Sequence, residues 1–395
     1  MAHQNNANNT SLTWGGVAAN KGTPDATTTA HRRALYLKLF SGELFKGFQR
    51  NTIARDLITK RTLKNGRSLQ FIFTGRTNSE FHVPGQNILG NTDGAPPVAE
   101  VTIECDDLLI SSAFVYELDE TLAHYDLRGE ISRKIGYALA ENYDRRIFRA
   151  VTKAARQASP IQKTNFLEPG GTQIRVGTNN AGTDAYVAAS LVNAFYDAAA
   201  ALDEKGVSTE GRVGVLNPRQ YYELIQAVGT NGLVNRDEQG DALQSGNGII
   251  EIAGIKIYKS MNIPFFGRFG TKYGGSGATG TGVTDPGNSG SFVSEDMGNQ
   301  AESASGAPDG QRTVNDYGEG NKFDNSCGLI FQKEAVGCVE AIGPQVQVTS
   351  GDVSVIYQGD VILGRLAMGA APLNPAAAVE LIAGIAPNTG VAQAF

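Results

Sequence analysis

The chain has 395 residues, 41% of them hydrophobic, and its 34 basic and 40 acidic side chains leave a formal charge of −6. That length can bury a sizeable core in two or more lobes, and the acidic balance argues against a surface given over to nucleic acid. No run approaches the ~18 apolar residues of a membrane span, so no membrane partner is expected.

Residues 1–33 are polar and rich in Asn, Thr, Ala and Gly, with Trp14 as the one tryptophan, and read as a flexible N-terminus without the apolar core of a signal peptide. From Ala34 to Phe48, Leu35, Leu39, Phe40, Leu44, Phe45 and Phe48 fall on one stripe of an amphipathic helix. Such a stripe docks either on its own core or in the groove of a neighbouring subunit.

The stretch from Ile53 to Glu117 reads as strands. Asn65-Gly66 is the pair that tolerates positive φ in a tight two-residue hairpin turn. Leu69, Phe71 and Phe73 alternate with Ser68, Gln70 and Thr74, and Val101, Ile103 and Cys105 alternate with polar neighbours, the period of a half-buried strand. The turn-rich segment from Phe81 to Pro97 lies between these runs, so the whole reads as an extended arm with a tip. A two-stranded arm is marginal in water unless a third element covers its apolar face, and another copy of the chain is the expected cover.

Between Glu120 and Gln157 there is no proline, and Leu127, Ile131, Ile135, Leu139, Tyr143, Ile147, Val151 and Ala155 recur every four residues. This predicts one helix on the order of 50 Å long, against a mean of about 11–12 residues. A spacing of four overshoots the helical turn, so the stripe winds and the helix must be gripped from more than one side. A long core helix of a globular enzyme is the alternative reading.

Beyond it, a helix is expected from Tyr186 to Glu204, a buried strand at Val213–Leu216, a helix from Arg219 to Ala227, and two short strands between Ile249 and Ser260 broken by Ala253-Gly254. Residues 268–325 are rich in Gly, Ser, Thr, Asn and Asp and read as a surface insertion. Strand-like runs follow at Gly328–Val339, Gln345–Val348, Val353–Tyr357 and Asp360–Met368, and Gly369 with Pro372 and Pro375 is expected to end the sheet before a small-residue tail.

Charge is unevenly distributed. Residues 30–70 carry ten basic side chains against Glu43 and Asp56, whereas 285–324 carry eight acids against Arg312 and Lys322. The basic stretch is expected to meet acidic neighbouring subunits rather than DNA.

No catalytic, cofactor-binding or metal-binding constellation emerges. Gly275, Gly277 and Gly280 spell G-x-G-x-x-G, but the residues that follow cannot open the helix a dinucleotide site needs. The histidines, His3, His31, His82 and His124, lack ligand spacing. Cys105, Cys327 and Cys338 show no C-x-x-C spacing and cannot all pair within one chain, so they read as reduced intracellular thiols.

The order of parts resembles the HK97-like fold of tailed-bacteriophage major capsid proteins, an α+β fold with N-arm, extended β-hairpin E-loop, long spine helix, peripheral domain and inserted axial domain. The tracts Ala34–Leu44, Gln70–Arg76 ending in Thr74-Gly75-Arg76, Tyr116–Arg128 with His124-Tyr125-Asp126-Leu127-Arg128, and Asp360–Leu373 with Ala367-Met368-Gly369 are similar to those of short-tailed podovirus (autographivirus and cyanophage) capsid proteins. By that resemblance 34–60 is the N-arm, 61–118 the E-loop, 119–158 the spine helix, 159–210 and 340–395 the peripheral domain, and 211–339 the axial domain with the glycine-rich insertion.

The implied function is an icosahedral shell built from hexamers and pentamers around packaged double-stranded DNA, assembled in the host cytoplasm and residing in the virion. Implied partners are further copies of the chain, a portal protein and a separate scaffolding protein, the N-terminal region being too short for a fused scaffold. An encapsulin-like compartment and a soluble α/β enzyme are the alternatives. Expected inter-subunit contacts are the basic Arg32, Arg33, Lys38, Arg50 and Arg55 and the arm residues Leu69, Phe71, Phe73, Phe81, Val101 and Ile103. Arg145 and Arg146, expected toward the polar side of the long helix, complete the set.

Overall fold

The structure, a computed structural model, describes residues 53–77, 81, 83–85, 96–105, 108–122, 127–163, 166–178, 183–225, 250–260, 262–263, 326–348 and 358–384. The expected helix at Ala34–Phe48, the contacts Arg32, Arg33, Lys38 and Arg50, and His124 lie outside these residues. So do the glycine-rich stretch 268–325 with its G-x-G-x-x-G pattern, the Val353–Tyr357 strand and the end of the tail.

In chain order the elements are helix α1 (Ala54–Leu57), strands β1 (Thr59–Thr62), β2 (Ser68–Thr74), β3 (Val98–Glu104) and β4 (Leu108–Tyr116), and helices α2 (Glu117–Leu122) and α3 (Leu127–Ala155). Short strands β5 (Gln162–Lys163), β6 (Phe166–Leu167) and β7 (Thr172–Arg175) lead to helix α4 (Ala188–Glu204), strand β8 (Arg212–Leu216) and helix α5 (Pro218–Ile225). Strands β9 (Ile250–Ile252), β10 (Ile255–Lys259), β11 (Ser326–Gln332), β12 (Val336–Val348), β13 (Gly359–Pro372) and β14 (Ala378–Ile382) complete the fold. They fall into two compact units, one within 107–142 and 342–368, the other within 51–106, 143–341 and 369–395.

In the first unit β4 runs antiparallel to β13, from Tyr116 opposite Gly359 to Leu108 opposite Ala367. The early turns of α3 lay Ile131, Ile135 and Leu139 on Val115 and Ile362 of these strands. A Cβ on Gly364 would stand 2.4 Å from Ile135 Cγ2 and 2.8 Å from Leu139 Cδ1, so glycine is what lets helix and strand approach this closely. Arg128 pairs with Asp360 at 3.0 Å alongside.

The second unit centres on a six-stranded sheet of order β7-β14-β11-β8-β10-β9. Leu191, Phe195, Ala198 and Leu202 of α4 join Leu216, Leu224, Ile255, Ile330 and Leu381 in one buried cluster. Each leucine, isoleucine or phenylalanine among them contributes about 1.5–3 kcal/mol on burial. The sheet takes β7 and β14 from the expected peripheral segments and β8 to β11 from the expected axial segment, so the boundaries at 210 and 340 do not divide it.

Several sequence expectations are corrected here. The long helix is described over Leu127–Ala155 and α2 over Glu117–Leu122, residues 123–126 between them lying outside the described residues. Asn65-Gly66 makes a turn with Gly66 at φ 95°, but it closes no hairpin. Residues 63–67 separate β1 from β2, too many for a two-residue turn, and β1 instead pairs in parallel with β12. The hairpin is β2 with β3, in register from Ser68 opposite Glu104 to Thr74 opposite Val98. β13 continues through Gly369 to Pro372, and the supposed tail holds β14, buried at every position and inside the sheet.

Candidate functional site

The β2–β3 hairpin places its side chains on two faces by the period of two. Leu69, Phe71, Phe73 and Val101 share one face and are half-buried there, while Ile103, on the same face, is fully buried. A Cβ on Gly337 of β12 would meet Ile103 Cδ1 at 2.9 Å, so Ile103 is a core residue of its own subunit and not a surface contact. The opposite face carries Ile72, 75% exposed, and Val98, 63% exposed. Sequence reasoning passed over both, although Ile72 is the one apolar residue out of phase in Ser68-Leu69-Gln70-Phe71-Ile72-Phe73-Thr74. Phe81, expected as a contact, is fully exposed.

At the start of the described chain two neighbouring residues of α3 hold α1 in place. Asp144 accepts the backbone amides of Ile53 at 2.8 Å and Ala54 at 3.1 Å, and the side-chain amide of Asn262 at 3.4 Å. The Tyr143 hydroxyl donates to Glu340 at 2.8 Å, and Glu340 receives Arg55 through Nη2 at 3.1 Å and Nε at 3.3 Å. Arg55 is thus committed within its own chain, and its hydrogen bond to Glu340 raises its pKa further. Burial pushes the Tyr143 phenol up and the nearby Cys338 thiol up to about 12, which keeps the thiol protonated and inert at neutral pH.

Arg145 and Arg146 are each only 4% exposed, and Arg149 and Arg156 are buried beside them. The polar-side placement expected for the first two is therefore corrected. From Tyr143 to Thr152 every residue of α3 is buried, so this part of the helix has no solvent face on which to set a charge. Glu380, buried in the middle of β14, accepts Arg156 through both carboxylate oxygens at 2.7 and 2.6 Å, Gln173 at 2.9 Å and the Ser326 hydroxyl. Such a pair is sustained only when its remaining hydrogen bonds are made as well.

Of the described basic residues in 30–70, Arg55, Lys60 and Arg67 pair within the chain, with Glu340, Asp56 and Glu104. Among the described residues no group of three or more His, Cys, Asp and Glu side chains could hold a metal. None of the described helices is long and apolar enough to cross a membrane.

This assembly of parts, a hairpin with Ile72 and Val98 exposed on its outer face, a long helix buried over its second half and a helix-backed sheet, corresponds to one family. Residues 71–301 match the model of the Gp10A-like major capsid protein family. The chain belongs to that family. The major capsid protein of Escherichia phage T7 is 24% identical over 354 residues, covering 88% of this chain and 92% of the T7 protein. The capsid structure of cyanophage P-SCSP1u is 29% identical with a TM-score of 0.63, covering 89% of this chain and 94% of that one. The mature capsid of bacteriophage PhiM1, 16% identical with a TM-score of 0.57 over 87% of this chain and 91% of its own, shares the fold.

This capsid protein therefore has the α+β, HK97-like fold, builds the phage capsid from copies of itself, and resides in the virion. It is a structural protein of podovirus type and not an enzyme. The encapsulin-like and α/β-enzyme readings give way to this membership.

Proposed function

We propose that the chain assembles through hexamers and pentamers into an icosahedral shell enclosing packaged double-stranded DNA, grown in the host cytoplasm with a separate scaffolding protein and a portal. The observation that carries this reading is the outer face of the hairpin. Ile72 and Val98 stand exposed on the face of the ladder that its own subunit leaves open. A face that meets a different patch on the next copy makes a heterologous contact, which closes into rings.

On this reading 68–104 is the E-loop, narrower than 61–118 because β4 belongs to the β4–β13 pair. The chain before Ile53 is the N-arm and α3 the spine. The six-stranded sheet with α4 serves as the axial domain, and β4, β13 and the early turns of α3 as the peripheral domain. The net charge of −6 supports a wall that does not immobilise DNA through phosphate contacts.

Electron microscopy of the purified protein, alone and co-produced with a scaffolding partner, tests this reading. Closed shells with five-fold vertices are expected. Small discrete oligomers under every condition would contradict it.

A further inference from the structure

The tract Thr74-Gly75-Arg76 marks the loop-side end of the β2–β3 ladder, beyond which the chain runs out into the segment that returns at Pro97. Gly75 N–H donates to Pro97 O at 2.8 Å, which adds a rung beyond the last ladder pair. A Cβ at Gly75 would stand 2.8 Å from Pro97 Cγ, 3.0 Å from Ile161 Cδ1 and 3.1 Å from Glu168 Oε1. Both strands and the Glu168 carboxylate therefore meet where only glycine fits. The next residue, Arg76, donates its backbone N–H to Glu168 Oε1 at 2.6 Å, sets its Nε 3.6 Å from Glu168 Oε2, and gives Nη2 to the carbonyl of Lys205. The Glu168 side chain is 9% exposed, so the acceptor is held in the body while the arginine reaches to it from the hairpin.

Arg76 and Glu168 also line an open cleft of about 700 Å³, with Phe73 and Thr74 of the hairpin and Lys205 and Lys333 of the body. The ladder is anchored toward its other end by the buried Ile103, so the loop-side end is the one left for a side-chain contact to fix. We propose that Arg76 is the positioning residue of the hairpin: it latches the loop-side end of the β2–β3 ladder to the body through Glu168 and the Lys205 carbonyl, and so presents the Ile72 and Val98 face in one orientation for the next subunit. An arginine suits this task because its planar fork binds a carboxylate and a carbonyl at once, which a lysine ammonium does not reproduce. The assembly half of the proposal rests on the hairpin being the E-loop, and the two fail separately in the test.

The test compares wild type, Arg76→Ala, Arg76→Lys and the Ile72→Lys, Val98→Lys double variant, by hydrogen exchange of the free subunit and by light scattering during shell growth. In Arg76→Ala the amides of β2 and β3 should exchange about tenfold faster while those of α4 and β8 are unchanged. Shell growth should slow, and Arg76→Lys should fall between the two. Unchanged exchange in the hairpin, or equal acceleration throughout the sheet body, overturns the latch. Faster hairpin exchange with normal growth overturns the positioning role. Normal growth of the Ile72→Lys, Val98→Lys variant would instead remove the E-loop reading and leave the latch to be judged by exchange alone.

Discussion

The carboxylate of Asp144 accepts the backbone amide of Ile53 at 2.8 Å and that of Ala54 at 3.1 Å, so one side chain of the long helix fixes where the chain enters α1. Neighbouring Tyr143 supports the Glu340 that holds Arg55, and the two attachments act on consecutive residues. In Asp144→Ala both amides lose their acceptor, a change comparable to the loss of a helix cap at about 1–2 kcal/mol. Thermal melts should show the loss, and hydrogen exchange should show it concentrated at Ile53 and Ala54. Uniform loosening across the sheet would mean that Asp144 acts on the core and not on the entry of the chain.

Ile135 and Leu139 pack on the β4–β13 pair and are 5% and 3% exposed, so Ile135→Asp or Leu139→Asp would bury a carboxylate at a cost of several kcal/mol. Neither variant should give folded subunits. Arg145→Glu should fail in the same way, because Arg145 is buried and a reversed charge there has no route to water. Arg133, whose side chain is 45% exposed earlier on the same helix and pairs with Glu130 at 3.0 Å, should cost no more than about 1 kcal/mol as Arg133→Ala. Soluble yield and sedimentation of the four variants separate these outcomes; a folded Arg145→Glu subunit would contradict the buried placement.

Burial holds the Lys205 ammonium down at about 8 against an ordinary 10.5. Between those values the unfolded chain carries this proton and the folded chain does not, so this group makes stability rise as pH climbs from about 8 to 10.5. Below that window the cost of burying the charged form is constant. The stability difference between wild type and Lys205→Met should therefore move in favour of wild type across the window. A flat difference would mean that Lys205 is hydrated in solution.

What was legible in the sequence followed from local pattern. The four-residue spacing of Ile131, Ile135, Leu139, Tyr143 and Ile147 announces the long helix, and all five are buried. The break at Ala253-Gly254 separates β9 from β10 as expected, and these pair antiparallel. What escaped depends on distant partners. Glu380 sits mid-strand where a charge argues against burial, and only Arg156, Gln173 and Ser326, brought from three other segments, make β14 possible. Arg145 and Arg146 looked solvated for the same reason. β1 finds its parallel partner in β12, more than 270 positions later, and no local turn signal encodes that pairing.

The hairpin face was misread because the apolar majority of β2 points toward its own subunit, which left Ile72 as the residue that breaks the alternation. Its exposure is the central claim: the outer face of the hairpin is covered by another copy in the shell. The most direct measurement is sedimentation and electron microscopy of the Ile72→Lys, Val98→Lys double variant beside wild type, lysine being chosen because Ile72 stands opposite Glu100. Both positions are exposed in the subunit, so its melting temperature should be nearly unchanged while closed shells are lost. Shells of normal yield and stability from the double variant would contradict the account.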